Sequence, residues 1–170
     1  MLPFVLMTVW SYAEDAPSKP SKNDADQKIH ITSDSLITNN ETNYAEFIGN
    51  VRASQGSSII TADRLKVFFQ KGMKNQKNPI AGQESITKIV ANGNVTINFD
   101  NKVAVAEQAV YITNTRIIVL SGANSKITSG NDSISGEKIT FYRTDGRINV
   151  ESGEEKRVDA VFFPGKNGLN

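Results

Sequence analysis

Ile59-Ile60-Thr61-Ala62-Asp63-Arg64-Leu65-Lys66-Val67-Phe68-Phe69, led in by Gly49-Asn50-Val51, sets a pattern that the rest of the chain repeats. It is rich in β-branched and aromatic residues and holds neither Pro nor Gly, so it favours a pleated strand over a helix. Its apolar residues run Ile60, Ala62, then Leu65, Val67, Phe69. A strand keeps these on one face only with one residue of irregularity at Asp63-Arg64.

The same shape returns along the chain. Ala62-Asp63-Arg64-Leu65 aligns with Ala106-Glu107-Gln108-Ala109, and Gly49-Asn50-Val51 then falls on Gly93-Asn94-Val95 with the same interval from Gly to Ala. Relatives stand upstream at Ile31-Thr32-Ser33-Asp34-Ser35-Leu36 and downstream at Ile134-Ser135-Gly136-Glu137-Lys138-Ile139. The shared pattern is apolar, any, small, acid, any, apolar. It implies a unit of about 30 residues whose apolar face is buried only by stacking on its neighbours. The acid after the small residue is expected at a bend, where a short carboxylate can accept from nearby backbone N–H groups.

Composition removes several functions. The 170 residues carry 19 Lys and Arg against 18 Asp and Glu, a net charge of +1, which gives nucleic acid no electrostatic handle. With no Cys there is no disulfide scaffold and no thiol nucleophile, and His30 as the single His cannot build a multi-His metal site. No Gly-x-Ser-x-Gly elbow and no phosphate loop occur. No cofactor, metal or catalytic residue is expected.

The apolar run Leu2 to Trp10, followed by Ser11-Tyr12-Ala13, reads as the end of a signal peptide cut after Ala13, too short to span a bilayer and without the usual basic start. Residues 14–26 are polar with Pro17 and Pro20 and read as a disordered leader. The folded domain is expected over 27–164, with 165–170 as a tail.

Within it, short β-prone runs alternate with turn residues. Gly49-Asn50 and Asn39 to Asn43 punctuate the first part, and the Lys-bearing stretch 70–85 reads as a long polar loop. Three strands are expected at Thr87 to Val90, Val95 to Phe99 and Lys102 to Ile112. Asp145-Gly146 marks a hairpin between Ile139–Tyr142 and Ile148–Val150, and Arg157 to Phe163 forms the last strand. No amphipathic helix is read after residue 28. The class is all-β and antiparallel; sandwich, barrel and stacked jelly roll all fit the pattern, and the repeat favours an elongated stack with two ends. Those ends are the edge strands bearing Ile29, His30 and Ile31, and Val158, Ala160 and Phe162, whose unpaired backbone groups another β protein can extend.

Five segments taken in order resemble the LptA family of OstA-like domains. They are Gln27-Lys28-Ile29-His30-Ile31-Thr32-Ser33-Asp34, Phe47-Ile48-Gly49-Asn50-Val51, Ile60-Thr61-Ala62-Asp63-Arg64-Leu65, Ile134 to Tyr142, and Lys156 to Pro164. The resemblance implies an open, twisted antiparallel β-jelly roll in the periplasm. It implies lipopolysaccharide (lipid A) as cargo and no catalysis. It also implies head-to-tail joining, with further copies or with similar domains of inner-membrane-anchored and outer-membrane transport proteins. On that reading, Ile29, Ile31, Phe47, Ile60, Leu65, Val67, Phe69, Ile97, Tyr111, Leu120, Ile139 and Phe141 line an apolar groove for acyl chains. Arg52, Arg64 and Lys66 are the cations expected near its mouth. The alternative is a secreted structural or polysaccharide-active β-repeat protein, in which Asp63 and Glu107 would form a carboxylate pair across a cleft.

Overall fold

The computed structural model describes residues 28–39, 43–70, 86–154 and 157–164. The signal-like start, the polar leader, most of the 70–85 loop and the tail lie outside the described residues. Those residues form twelve strands and no helix. They are β1 His30–Thr32, β2 Ser35–Asn39, β3 Tyr44–Gln55, β4 Ser58–Phe69, β5 Ile86–Phe99, β6 Lys102–Ile112, β7 Ile117–Ser121, β8 Lys126–Ser129, β9 Asp132–Ser135, β10 Lys138–Tyr142, β11 Ile148–Glu151 and β12 Asp159–Val161. All pairings are antiparallel within one sheet.

Register breaks fold that sheet along its middle. The β3/β4 ladder shifts between Ile48 and Val51, β4/β5 between Thr61 and Arg64, and β5/β6 between Asn92 and Val95. Each long strand therefore serves two layers. The first layer holds β1, the Val51–Gln55 half of β3, the Ser58–Ala62 half of β4, the Val95–Phe99 half of β5, the Lys102–Ala106 half of β6, then β8, β9 and β12. The second holds β2, the other halves of β3 to β6, then β7, β10 and β11. After β6 the chain crosses the corner repeatedly, at Gly122 to Ser125, at Gly136-Glu137 and at Gly153.

The apolar faces of the two layers meet in one core. Val51, Ala53, Val95, Ile97, Phe99, Ala104, Ala106 and Ile127 of the first pack with Leu65, Val67, Ile89, Ala91, Leu120, Ile139 and Phe141 of the second. The two layers diverge from a common corner, so small residues belong beside it and large ones away from it. On β4 the inward series is Ala62, Leu65, Val67, Phe69, and on the far half of β5 it is Val95, Ile97, Phe99. The Asp145-Gly146 hairpin is present, pairing Phe141 with Ile148.

Three expectations need correction. Thr87–Val90 and Val95–Phe99 are not separate strands but one bent strand, β5, running through Gly93-Asn94. Gly49-Asn50 likewise bends β3 without ending it. In both pairs glycine and asparagine have positive φ, +80 and +47 at Gly49 and Asn50, +76 and +46 at Gly93 and Asn94. These are left-handed conformations that Gly and Asn adopt most readily, here spent on a bulge instead of a hairpin. The last strand is only Asp159–Val161; among the described residues its neighbour is β9, and Phe162 and Phe163 lie beyond the ladder.

Candidate functional site

The outer side of the corner carries a spine of acids and glycines. The Asp34 carboxylate occupies the space a Cβ on Gly49 would need, Asp63 does the same at Gly93, Glu107 at Gly122 and Glu137 at Gly153. The Asn50 side-chain amide donates to Asp34 at 2.8 Å, and Asn94 donates to Asp63 at 2.8 Å. Backbone bonds continue the spine, with the Asp34 N–H on the Gly49 carbonyl at 2.9 Å and the Glu137 N–H on the Glu151 carbonyl at 2.9 Å. The acids of the repeat therefore sit at the bends. Asp63 and Glu107, the pair a polysaccharide-active reading would use, are seated against different glycines, Asp63 against Gly93 within β5 and Glu107 against Gly122 just after β7.

The expected groove residues come together in the interior. Leu65, Leu120 and Ile139 are fully buried, with Val67, Ile97 and Phe141 beside them. Ile31, Phe47, Ile60, Phe69 and Tyr111 are partly buried and pack against this cluster. Ile29 precedes β1 and is half-buried. At the two edges of the first layer, His30 is exposed on β1, and Val158, Ala160 and Phe162 are exposed on and around β12.

The cations expected at the mouth are elsewhere. Arg52 and Arg64 are exposed, and Arg64 and Lys66 share Glu46, at 3.8 and 3.6 Å, on the outer face of the second layer. Lys66 also lies 5.1 Å from the Tyr44 ring centroid, beside the Tyr44–Phe68 ring pair.

Far from the corner, where the layers end, a different group spans them. Arg143, at the end of β10, donates from Nε to one Asp100 carboxylate oxygen at 3.1 Å and from its terminal nitrogen to the other at 2.9 Å. Asp100 turns β5 into β6 in the opposite layer, so this bidentate pair bridges the mouth. Beneath it Phe99 and Phe141 meet at 5.3 Å between centroids. Arg143 lies 5.9 Å from the Phe99 centroid and Lys102 5.8 Å from that of Phe141. Lys102 also donates to the Asp100 carbonyl at 3.3 Å. Burial works to lower the Arg143 pKa, but its bond to Asp100 and that charge, with Tyr111 beside it, outweigh burial and hold it above the usual value. Counting by twos outward from Ala106 and Ala104 to Lys102, and from Ile139 and Phe141 to Arg143, would have found both cations.

Residues 30–147 match the family described as LptA/(LptD N-terminal domain) LPS transport protein. The chain is 29% identical over 155 residues to the lipopolysaccharide export system protein LptA of Escherichia coli strain K12, covering 89% of this chain and 80% of that protein. It is 24% identical over 127 residues to an uncharacterised protein of Rhizobium meliloti strain 1021, covering 75% and 67%. The fold is similar to that of LptH from Pseudomonas aeruginosa, whose structure is described as the LptA-homologous periplasmic component of a lipopolysaccharide transport device. The TM-score is 0.69 at 18% identity, covering 83% of this chain and 99% of that one.

Proposed function

The chain belongs to the LptA/(LptD N-terminal domain) LPS transport protein family, and from that premise we infer that it is a periplasmic lipopolysaccharide carrier that bridges the inner and outer membranes. The observation that carries this reading is the open double layer: apolar inward faces running from one end of the sheet path to the other, with edges at both ends. Each acyl CH₂ taken out of water contributes about 0.8 kcal/mol, so a lipid with several chains gains a large total from a long apolar surface. The role is one of holding and passing on and requires no reaction.

Ile31, Phe47, Ile60, Phe69 and Tyr111 are the residues we assign to first contact with acyl chains, since they pack on the core yet keep some exposure. Leu65, Val67, Ile97, Leu120, Ile139 and Phe141 would be reached as the layers part, and Ile29 as lipid passes the β1 end. The edges β1/β2 and β11/β12 are assigned to joining similar domains of the anchored inner-membrane and outer-membrane proteins, or further copies of this chain, by strand addition.

Photo-crosslinking tests the reading. A probe at Ile31, Phe47 or Tyr111 is expected to capture lipopolysaccharide in cells, and one at outward-facing Thr61 or Thr96 is not. Equal capture from both sets, or none from the first, would remove the groove.

A further inference from the structure

Resting on the carrier reading, we propose that Lys102 and Arg143 form a seat for the anionic, phosphate-bearing headgroup of the lipid, and that Asp100 occupies this seat when it is empty. The argument starts from register. Lys102 continues the inward series of Ala106 and Ala104, and Arg143 continues that of Ile139 and Phe141, so two cations from opposite layers end on the rim of an apolar interior. They cross: Lys102 from the first layer reaches over Phe141 of the second, and Arg143 from the second reaches over Phe99 of the first. Both converge on Asp100, Arg143 through the carboxylate and Lys102 through the carbonyl.

A carboxylate held bidentately by a guanidinium is the local mimic of a phosphate oxygen pair. A phosphate in that place would take two N–H donors from Arg143 and one from Lys102. Its acyl chains would point down past the Phe99–Phe141 pair into the core. Because the Asp100–Arg143 pair also bridges the layers, exchanging the carboxylate for a phosphate releases the mouth as the headgroup binds. The Arg143 side chain is 23% exposed and that of Asp100 43%, so the pair is within reach of a ligand arriving from solvent. By contrast Arg64 and Lys66 face away from the interior and are held by Glu46.

The test compares bisphosphorylated lipid A, monophosphoryl lipid A and inorganic pyrophosphate on the full chain and its variants, with melting curves to confirm folding. Wild type is expected to prefer the bisphosphorylated lipid by about tenfold, the equivalent of one hydrogen bond to a charged group. Arg143→Met and Lys102→Met should each lose most of that preference while still binding the monophosphoryl form. Asp100→Asn should bind phosphorylated lipid more tightly. Lys102→Met leaves the Asp100–Arg143 pair in place, so it reads the seat even where loss of Arg143 lowers stability. Pyrophosphate separates the sources: protection of Lys102 from amine modification by pyrophosphate alone would show a general phosphate seat, and protection only by the lipid would show a headgroup seat. Unchanged preference in both Met variants would overturn the proposal. If no lipid binds wild type, the carrier reading falls; pyrophosphate protection lost in Arg143→Met would then still uphold the seat, and absence of protection would sink both.

Discussion

Gly93 is held by two constraints at once. Its φ of +76 suits glycine, and the Asp63 carboxylate fills the place of a Cβ. Gly146 has a similar φ of +73 with nothing near that position. Gly146→Ala is therefore expected to cost about 1–2 kcal/mol from backbone strain alone. Gly93→Ala should cost about 2–4 kcal/mol, because overpacking adds to strain. Urea unfolding midpoints of the two variants decide it; equal losses would mean the Asp63 contact contributes nothing. The repeat showed in the sequence that Asp34, Asp63, Glu107 and Glu137 belong at bends, because a small residue precedes each and turn chemistry is local. What each acid touches was not legible, since Gly49 and Gly93 lie within β3 and β5, and Gly122 and Gly153 just after β7 and β11, all distant in sequence from their acids. Lys102 and Arg143 stand at strand ends, where a charged residue looks solvated unless the inward alternation of Ala106 and Ala104, or of Ile139 and Phe141, is followed through to it.

Among the elements, β6 shows how close approach of the layers restricts side-chain size. Ala104 and Ala106 are both fully buried, and Ala109 follows directly after the corner. Ala106→Leu places extra methyl and methylene groups where the layers converge and is expected to destabilise by about 1–3 kcal/mol. Val103→Thr, on the outer face of the same strand at 42% exposure, should stay within about 0.5 kcal/mol. Thermal unfolding of the two variants checks the contrast, and a neutral Ala106→Leu would show that the corner has spare room. The irregularity at Asp63-Arg64 was legible because alternation of Ile60 and Ala62 against Leu65 and Val67 demands it. The continuity of β3 and β5 was not. Gly-Asn with positive φ is also a hairpin signal, and only the facing ladder distinguishes a bulge from a turn.

At the scale of the molecule, the sequence pointed to an all-β stack with two ends, but not to which layer each strand joins. That depends on non-local pairings: β8 turns away from β7 to pair with β6, and β12 returns to β9. The ends themselves were legible from chain order, because β1 and β12 are the first and last strands and each has a neighbour on one side among the described residues. The C-terminal end bears Phe162 and Phe163, 66% and 64% exposed, next to Val158 and Val161. On the carrier reading, large apolar side chains gathered at a strand edge are there for the next domain to cover and contribute little to the fold itself. Replacing both phenylalanines by Ser should therefore leave folding stability within about 0.5 kcal/mol of wild type. It should at the same time abolish end-to-end association, which for wild type should grow with concentration in sedimentation velocity. A double variant that unfolds early would place these rings in the core instead. One that associates as wild type does would move the joint to β11, whose outer edge lies in the second layer, or to the β1/β2 end acting on itself.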